Sequence, residues 1–234
     1  MRPGTGSRPP PNDRPAAARW SVRGAEEHPI VNLVHLSTPR ARLIRAALEE
    51  FSDGGYADAS LVAIADRAGL GVDVLAEHFA DKRALLSAAL SRRDRTVRDE
   101  VWAGAKGEGW NGIQAWVELM RNNQKKPGTV RFFAELRLLA TDPQHPAHDW
   151  LRGHFELVDE VVERAVSTGI TRGEIRPDTD AAALARGLLA MIEGIETRWL
   201  ATPAEVDPVA MISDYVDLLA GVITTDAFRA RLRR

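Results

Sequence analysis

Between Ser60 and Leu86 the chain reads Ser-Leu-Val-Ala-Ile-Ala-Asp-Arg-Ala-Gly-Leu-Gly-Val-Asp-Val-Leu-Ala-Glu-His-Phe-Ala-Asp-Lys-Arg-Ala-Leu-Leu, and few folds accommodate that order. Leu61, Ile64, Ala65 and Ala68 recur at i, i+3, i+4 and i+7, one apolar helical face. Gly69 ends that helix, because glycine tolerates the left-handed conformation at a helix terminus. A second helix resumes near Val72, with Val74, Leu75, His78 and Phe79 available for its inner face. Asp81 then caps a third, long helix. Two short helices about a tight turn form a helix-turn-helix, which presents its second helix to a DNA major groove.

The preceding segment supplies a helix to buttress the pair. Thr38-Pro39 is a helix start, since threonine accepts from free amides and proline suits the first helical position. Leu43, Ile44, Ala47, Leu48 and Phe51 give an apolar stripe, and Gly54-Gly55 predicts its end, so the helix is expected over residues 38–53.

These features together resemble the DNA-binding domain of the TetR family of bacterial transcriptional repressors. The resemblance rests on Phe51 with Gly54-Gly55-Tyr56, on Ser60, Ile64-Ala65 and Ala68-Gly69-Leu70, and on Leu75, His78-Phe79, Lys82 and Leu85-Leu86. It implies an all-α fold: an N-terminal three-helix helix-turn-helix domain plus a helical ligand-binding and dimerisation domain. It also implies DNA contacts from Ser60 and Lys82 to phosphate, and from Gly71, Val72, Asp73, Val74, Glu77 and His78 in and around the second helix. Arg40, Arg42 and Arg45 on the first helix are candidate backbone cations. Phosphate contacts give affinity and register, whereas base-edge contacts give sequence choice.

The second helix departs from the family pattern. Where many members carry a serine, a basic residue, a glycine, a threonine and an aromatic, this chain has Gly71, Val72, Asp73, Val74 and Ala76, followed by Glu77. Residues 38–90 hold six Lys and Arg against eight Asp and Glu, so the unit is acidic. Carboxylates accept from cytosine N4 but repel phosphates. On the plainer reading Asp73 and Glu77 are tolerated surface acids, satisfied by neighbours such as Arg67.

Composition bounds the rest. Of 234 residues 44% are hydrophobic, enough for a sizeable core, and the formal net charge is −2, so no gross positive field marks a nucleic-acid binder. There is no cysteine, which removes disulfide and thiolate chemistry. No apolar run approaches the ~18 residues of a membrane helix. A cytoplasmic protein without cofactor and without membrane contact is expected.

Residues 1–37 contain six of the thirteen prolines and five arginines against three acids, and read as a disordered arm. Three readings stand for it: a basic arm reaching a minor groove, a solvated tail, or an upstream start codon assigned too early. Helix-turn-helix residues 38–85 follow, then a ligand-binding and dimerisation region over 86–225, then a basic tail over 226–234. Helices are expected near 81–103, 110–126, 127–141, 147–168, 178–201 and 206–223.

Aromatic residues concentrate in the middle helices, where a small-molecule effector of unknown identity is expected to bind. The candidate lining is Trp116, Met120, Phe133, Leu136, Arg137, Trp150, His154 and Leu157. Arg137 lies in an apolar segment and would pair an anionic ligand, or else pair Glu135 or stand as an exposed charge. A homodimer is expected through a small-residue stripe, Ala183, Gly187, Ala190 and Gly194, and a heptad-like stripe, Val209, Ile212, Val216 and Leu219. His145, His148 and His154 with Asp149 invite a metal reading, but their spacing is not that of one helix face, and no metal is expected. The alternative to a DNA-binding repressor is a module of the same fold that has lost DNA recognition. No nucleophile elbow, phosphate loop or paired carboxylate motif points to an enzyme.

Overall fold

The computed structural model describes residues 38–232, so the expected N-terminal arm and the last two residues of the tail lie outside the described residues. Ten α-helices and one 3-10 turn, at Gly104–Gly107, are present among them. The helices are α1 (Pro39–Asp58), α2 (Leu61–Arg67), α3 (Val72–His78), α4 (Lys82–Val101) and α5 (Gly109–Gln124). They continue as α6 (Pro127–Leu139), α7 (His148–Thr171), α8 (Ala181–Ala201), α9 (Pro208–Ile223) and α10 (Asp226–Leu232). The one β-bridge among the described residues joins Ile175 to Thr224 and ties the turn after α7 to the end of α9.

Helix starts follow local chemistry. Thr38, Ser60, Asp81, Asp180 and Asp207 each accept from a backbone amide in the first turn of the helix they precede. The expected start of α8 at 178 therefore moves to Ala181, because Asp180 is the capping residue. The end expected for α1 at Gly54-Gly55 also moves. Helical turns continue to Asp58 across an internal break at Gly55, whose φ of 80° is open to glycine and costly for other residues. Helix α4 stops at Val101, two residues early, and α7 runs to Thr171.

Two apolar cores form. One gathers α1, α2, α3 and the first half of α4 around Leu43, Phe51, Ile64, Leu75 and Leu86, and extends to Phe132, Phe133 and Leu136 of α6 and Leu151 of α7. The other gathers α5, α7, α8 and α9 around Trp116, Met120, Val162, Leu188, Ile195 and Ile212. Helix α4 belongs to both: Leu85, Leu86, Ala89 and Leu90 seal the first core, Val101 and the adjoining Trp102 the second. A rigid helix seated at each end in a different core transmits displacement from one to the other.

Candidate functional site

The turn between α2 and α3 is a Schellman motif. Leu70 N–H donates to Ala65 O at 3.0 Å and Gly69 N–H to Asp66 O at 2.9 Å, with Gly69 at φ 64°. Arg42 reinforces the turn by donating to Ala68 O at 2.6 Å and Gly69 O at 3.1 Å. Its Nη2 thus satisfies orphan carbonyls at the end of α2 and helps hold the turn. Lys82 donates to Ala57 O at 2.9 Å and stands 4.7 Å from the Tyr56 ring centroid, while Ser60 Oγ caps α2.

Leu75 and Phe79 bury one side of α3, leaving Val72 (49% exposed), Asp73, Ala76, Glu77 and His78 on the outside and Val74 between. His78, expected on the inner face, points outward with them, because Leu75 and Phe79 alone fill the contact with α1 and α2. Arg40 lies over the Phe79 ring at 5.0 Å, beside the end of α3. Arg45 is instead on the far side of α1, in a groove against α4 and α6. Arg67 does not neutralise Asp73 or Glu77. It pairs with Glu50 and Asp53, both at 2.8 Å, and fastens α2 to α1. The exposed face of α3 is therefore rich in acceptors and poor in donors.

Behind α4 lies a small cavity of about 50 Å³, open to solvent on one side and bounded by α4, α5, α6, α7 and α8. Of the eight residues expected to line it, Trp116, Arg137, His154 and Leu157 do. Phe133, Leu136 and Trp150 pack into the core of the N-terminal unit, Phe133 also lining a groove against α1, α4 and α5, and Met120 is buried within the second core. The sequence reading missed Trp102, Asn123, Ile192, Glu193 and Glu196. The two glutamates stand three apart on α8, whose small-residue stripe drew attention to its other face.

Glu196 is 3% exposed, yet it accepts from Asn123 Nδ2 at 2.7 Å and from Arg137 Nη2 at 3.0 Å. Arg137 Nε also lies 3.1 Å from Glu193 Oε1. Arg137 is thus neutralised by two carboxylates, not by Glu135, and has no charge to spare for an anion inside the cavity. Asp94 makes a second polar cluster. It accepts from Trp150 Nε1 at 2.6 Å and Arg93 Nη1 at 3.1 Å, and lies 3.4 Å from His154 Nδ1. Burial pushes the Asp94 carboxyl up, but His154, Arg93 and Trp150 together outweigh it and hold it below the usual value. His145 accepts from Ala147 N–H and His148 stands 2.9 Å from Ala140 O, so these two histidines shape the turn before α7.

The outer sides of α8 and α9 carry exposed apolar residues, and Met211 and Tyr215 at their margin are half-buried against the chain's own core. On α9, Met211, Tyr215, Leu218 (69% exposed) and Val222 (65% exposed) repeat at four, three and four residues. On α8, Ala183, Ala190, Met191 and Gly194 are exposed, and the Tyr215 hydroxyl lies beside Gly187. Ile212 and Val216, expected at a dimer contact, are buried in the chain's own core, and Val209 and Leu219 pack against it. The row that carries Ile212 and Val216 therefore faces inward.

Comparison with known proteins agrees with this geometry. A model of bacterial regulatory proteins of the tetR family matches residues 43–89, and one of the tetracyclin repressor-like C-terminal domain matches residues 110–210. The transcriptional repressor AcnR of Corynebacterium diphtheriae is 26% identical over 193 residues, covering 81% of this chain and 95% of that protein. The regulator BetI of Stenotrophomonas maltophilia is 28% identical over 165 residues, covering 69% and 79%. Among solved structures, a TetR transcription regulator from Haloarcula marismortui shares the fold with a TM-score of 0.69 at 21% identity, covering 80% of this chain and 98% of that one.

Proposed function

We propose, from the premise that this chain belongs to the tetR family of bacterial regulatory proteins, that it is a dimeric transcriptional repressor released from operator DNA by a small molecule. The observation that carries the ligand response is the path of α4. Directly after the Phe79–Asp81 connection from α3, this helix is fixed in the DNA-reading core, and Arg93, Asp94, Val97 and Arg98 farther along it line the cavity. A ligand that prefers one tilt of α4 therefore biases the separation of two reading helices in a dimer. It acts only through its differential affinity for the two tilts. Half-sites in dimeric helix-turn-helix complexes are one turn of DNA, about 34–36 Å, apart.

In this reading residues 38–85 bind DNA, with Ser60, Val72, Asp73, Ala76, Glu77 and His78 nearest the groove. Residues 86–225 bind effector and partner. The dimer forms through the outer faces of α8 and α9, where small residues on α8 let helix axes approach and Met211, Tyr215, Leu218 and Val222 supply apolar area. No helix among the described residues is long and apolar enough to cross a membrane, and a cytoplasmic location suits a DNA-bound regulator.

One feature favours the alternative of a module that no longer reads DNA. The outer face of α3 is acidic, while Arg42 and Lys82 are engaged internally. Fluorescence-anisotropy titration of the purified protein against its own upstream intergenic DNA, over a salt series with nonspecific competitor, decides between them. Specific binding that weakens steeply with salt supports the repressor. Binding no tighter than to random DNA, by a protein that remains dimeric, supports the module.

A further inference from the structure

Inside the cavity every cation already has a carboxylate. Arg93 pairs with Asp94, Arg98 with Asp99, and Arg137 with Glu193 and Glu196. An additional charge there would be desolvated without an available counter-ion, so this space favours an uncharged, apolar body. Val97, Trp102, Leu119, Leu157, Val161 and Ile192 supply the walls for it. Three buried polar atoms on the cavity wall make no hydrogen bond among the described residues: His154 Nδ1 and Glu193 Oε1, which lie within ion-pair distance of Asp94 and Arg137, and Trp116 Nε1–H, which offers one hydrogen bond to an occupant.

The Arg137–Glu196–Asn123 cluster is also one wall of a second, larger space. A groove of about 430 Å³ runs between α1 and helices α4, α5 and α6. Its charge is not balanced. Arg45, Arg92, Arg93, Lys126 and Arg137 line it against Glu49, Glu100 and Glu196, five cations to three carboxylates. Arg137 and Glu196 cancel each other, and Arg93 is taken by Asp94. That leaves Arg45 on α1, Arg92 on α4 and Lys126 at the start of α6 against Glu49 and Glu100, a surplus of one cation, and no ion pair joins any of these five among the described residues. Val97 and Leu119 line both spaces, so their apolar walls are continuous.

Building on the ligand-responsive reading, we propose that the effector is an amphiphilic anion. Its apolar body fills the cavity behind α4, and its carboxylate or phosphate rests in the groove on Arg45, Arg92 and Lys126. The position explains how occupancy would reach the DNA-binding unit without relay. Arg45 belongs to α1 and Arg92 to α4, so one anion draws together cations that otherwise repel, and sets α1 against α4.

Isothermal titration of the full chain with decanoate, decyl phosphate, decan-1-ol and decyltrimethylammonium tests this. The expected result is that at least one of the two anions binds about tenfold tighter than the alcohol, with the ammonium weakest. Which anion wins tells carboxylate from phosphate. The Arg45→Ala/Arg92→Ala variant alters exposed and half-buried side chains only, and should bring the anion to within about twofold of the alcohol while leaving alcohol affinity unchanged. Equal binding of anion and alcohol, preference for the ammonium, no binding of any probe, or an anion preference that survives in the variant would each overturn the proposal. The DNA titration separates the two failures. Specific operator binding without anion selectivity removes only the ligand class, whereas absent DNA binding removes the repressor reading whatever the calorimetry gives.

Discussion

Replacing Arg137 by methionine should be among the most destabilising single changes outside the apolar cores. The substitution keeps length and apolar stem but strips Glu196, 3% exposed, of its counter-charge. Removing one partner of a buried ion pair costs about 3–5 kcal/mol, because the remaining charge stays desolvated. Glu196 keeps the 2.7 Å bond from Asn123, so the lower end applies, about 3 kcal/mol. For a chain of this size that lowers the melting temperature by roughly 6–12 °C. The double variant Arg137→Met/Glu196→Leu removes both charges and leaves apolar groups of similar size. It should lie within about 1 kcal/mol of the parent, since apolar replacement of a whole buried pair is often neutral. Differential scanning calorimetry of parent, both single variants and the double variant gives the coupling directly, expected at about 2 kcal/mol or more. A double variant as unstable as the sum of the singles would refute the claim that Arg137 serves to neutralise Glu196. A shift below about 2 °C for Arg137→Met would refute the claim that the site is dry.

Three further outcomes follow from particular residues. Gly69→Ala forces a side chain into φ 64° next to the Arg42 guanidinium and should cost about 1–2 kcal/mol in urea unfolding, with a weakened turn between α2 and α3. Because Asp94 titrates lower in the folded chain than in the unfolded one, it contributes stability that is fully present above the unfolded value near 4 and is lost as pH falls through the folded value. Asp94→Asn should therefore flatten the fall in stability below about pH 4, as read by melting temperature against pH. Glu77→Gln removes an exposed negative charge from the reading face and should tighten operator binding about threefold at low salt, the Coulomb term for one charge some 7 Å from a phosphate in water, with the gain shrinking as salt rises. Unchanged affinity would show that Glu77 faces away from the DNA.

What the amino-acid sequence determined by itself is whatever depends on residues within a few positions of one another. Thr38-Pro39, Ser60, Asp81 and Asp207 start helices because a side-chain oxygen reaches amides two or three residues on, and the Gly69 turn closes by bonds spanning three and five residues. The all-α class, the helix-turn-helix and nearly every helix were legible for that reason. Tertiary structure decided which groups each face and each charge would meet. Arg42 finds carbonyls 26 and 27 residues away, and Arg137 finds a carboxylate 59 residues away in preference to Glu135. Periodicity identified one apolar row on α9, Val209, Ile212, Val216 and Leu219, but not that Ile212 and Val216 close the chain's own core while Leu218 and Val222 remain outside. A helix presents both rows with the same spacing, and only packing against α5 and α8 selects the one that turns inward. The cavity is of the same kind. Its walls come from five helices, and its charge balance exists only once those helices have brought Arg93, Arg137, Asp94 and Glu196 together.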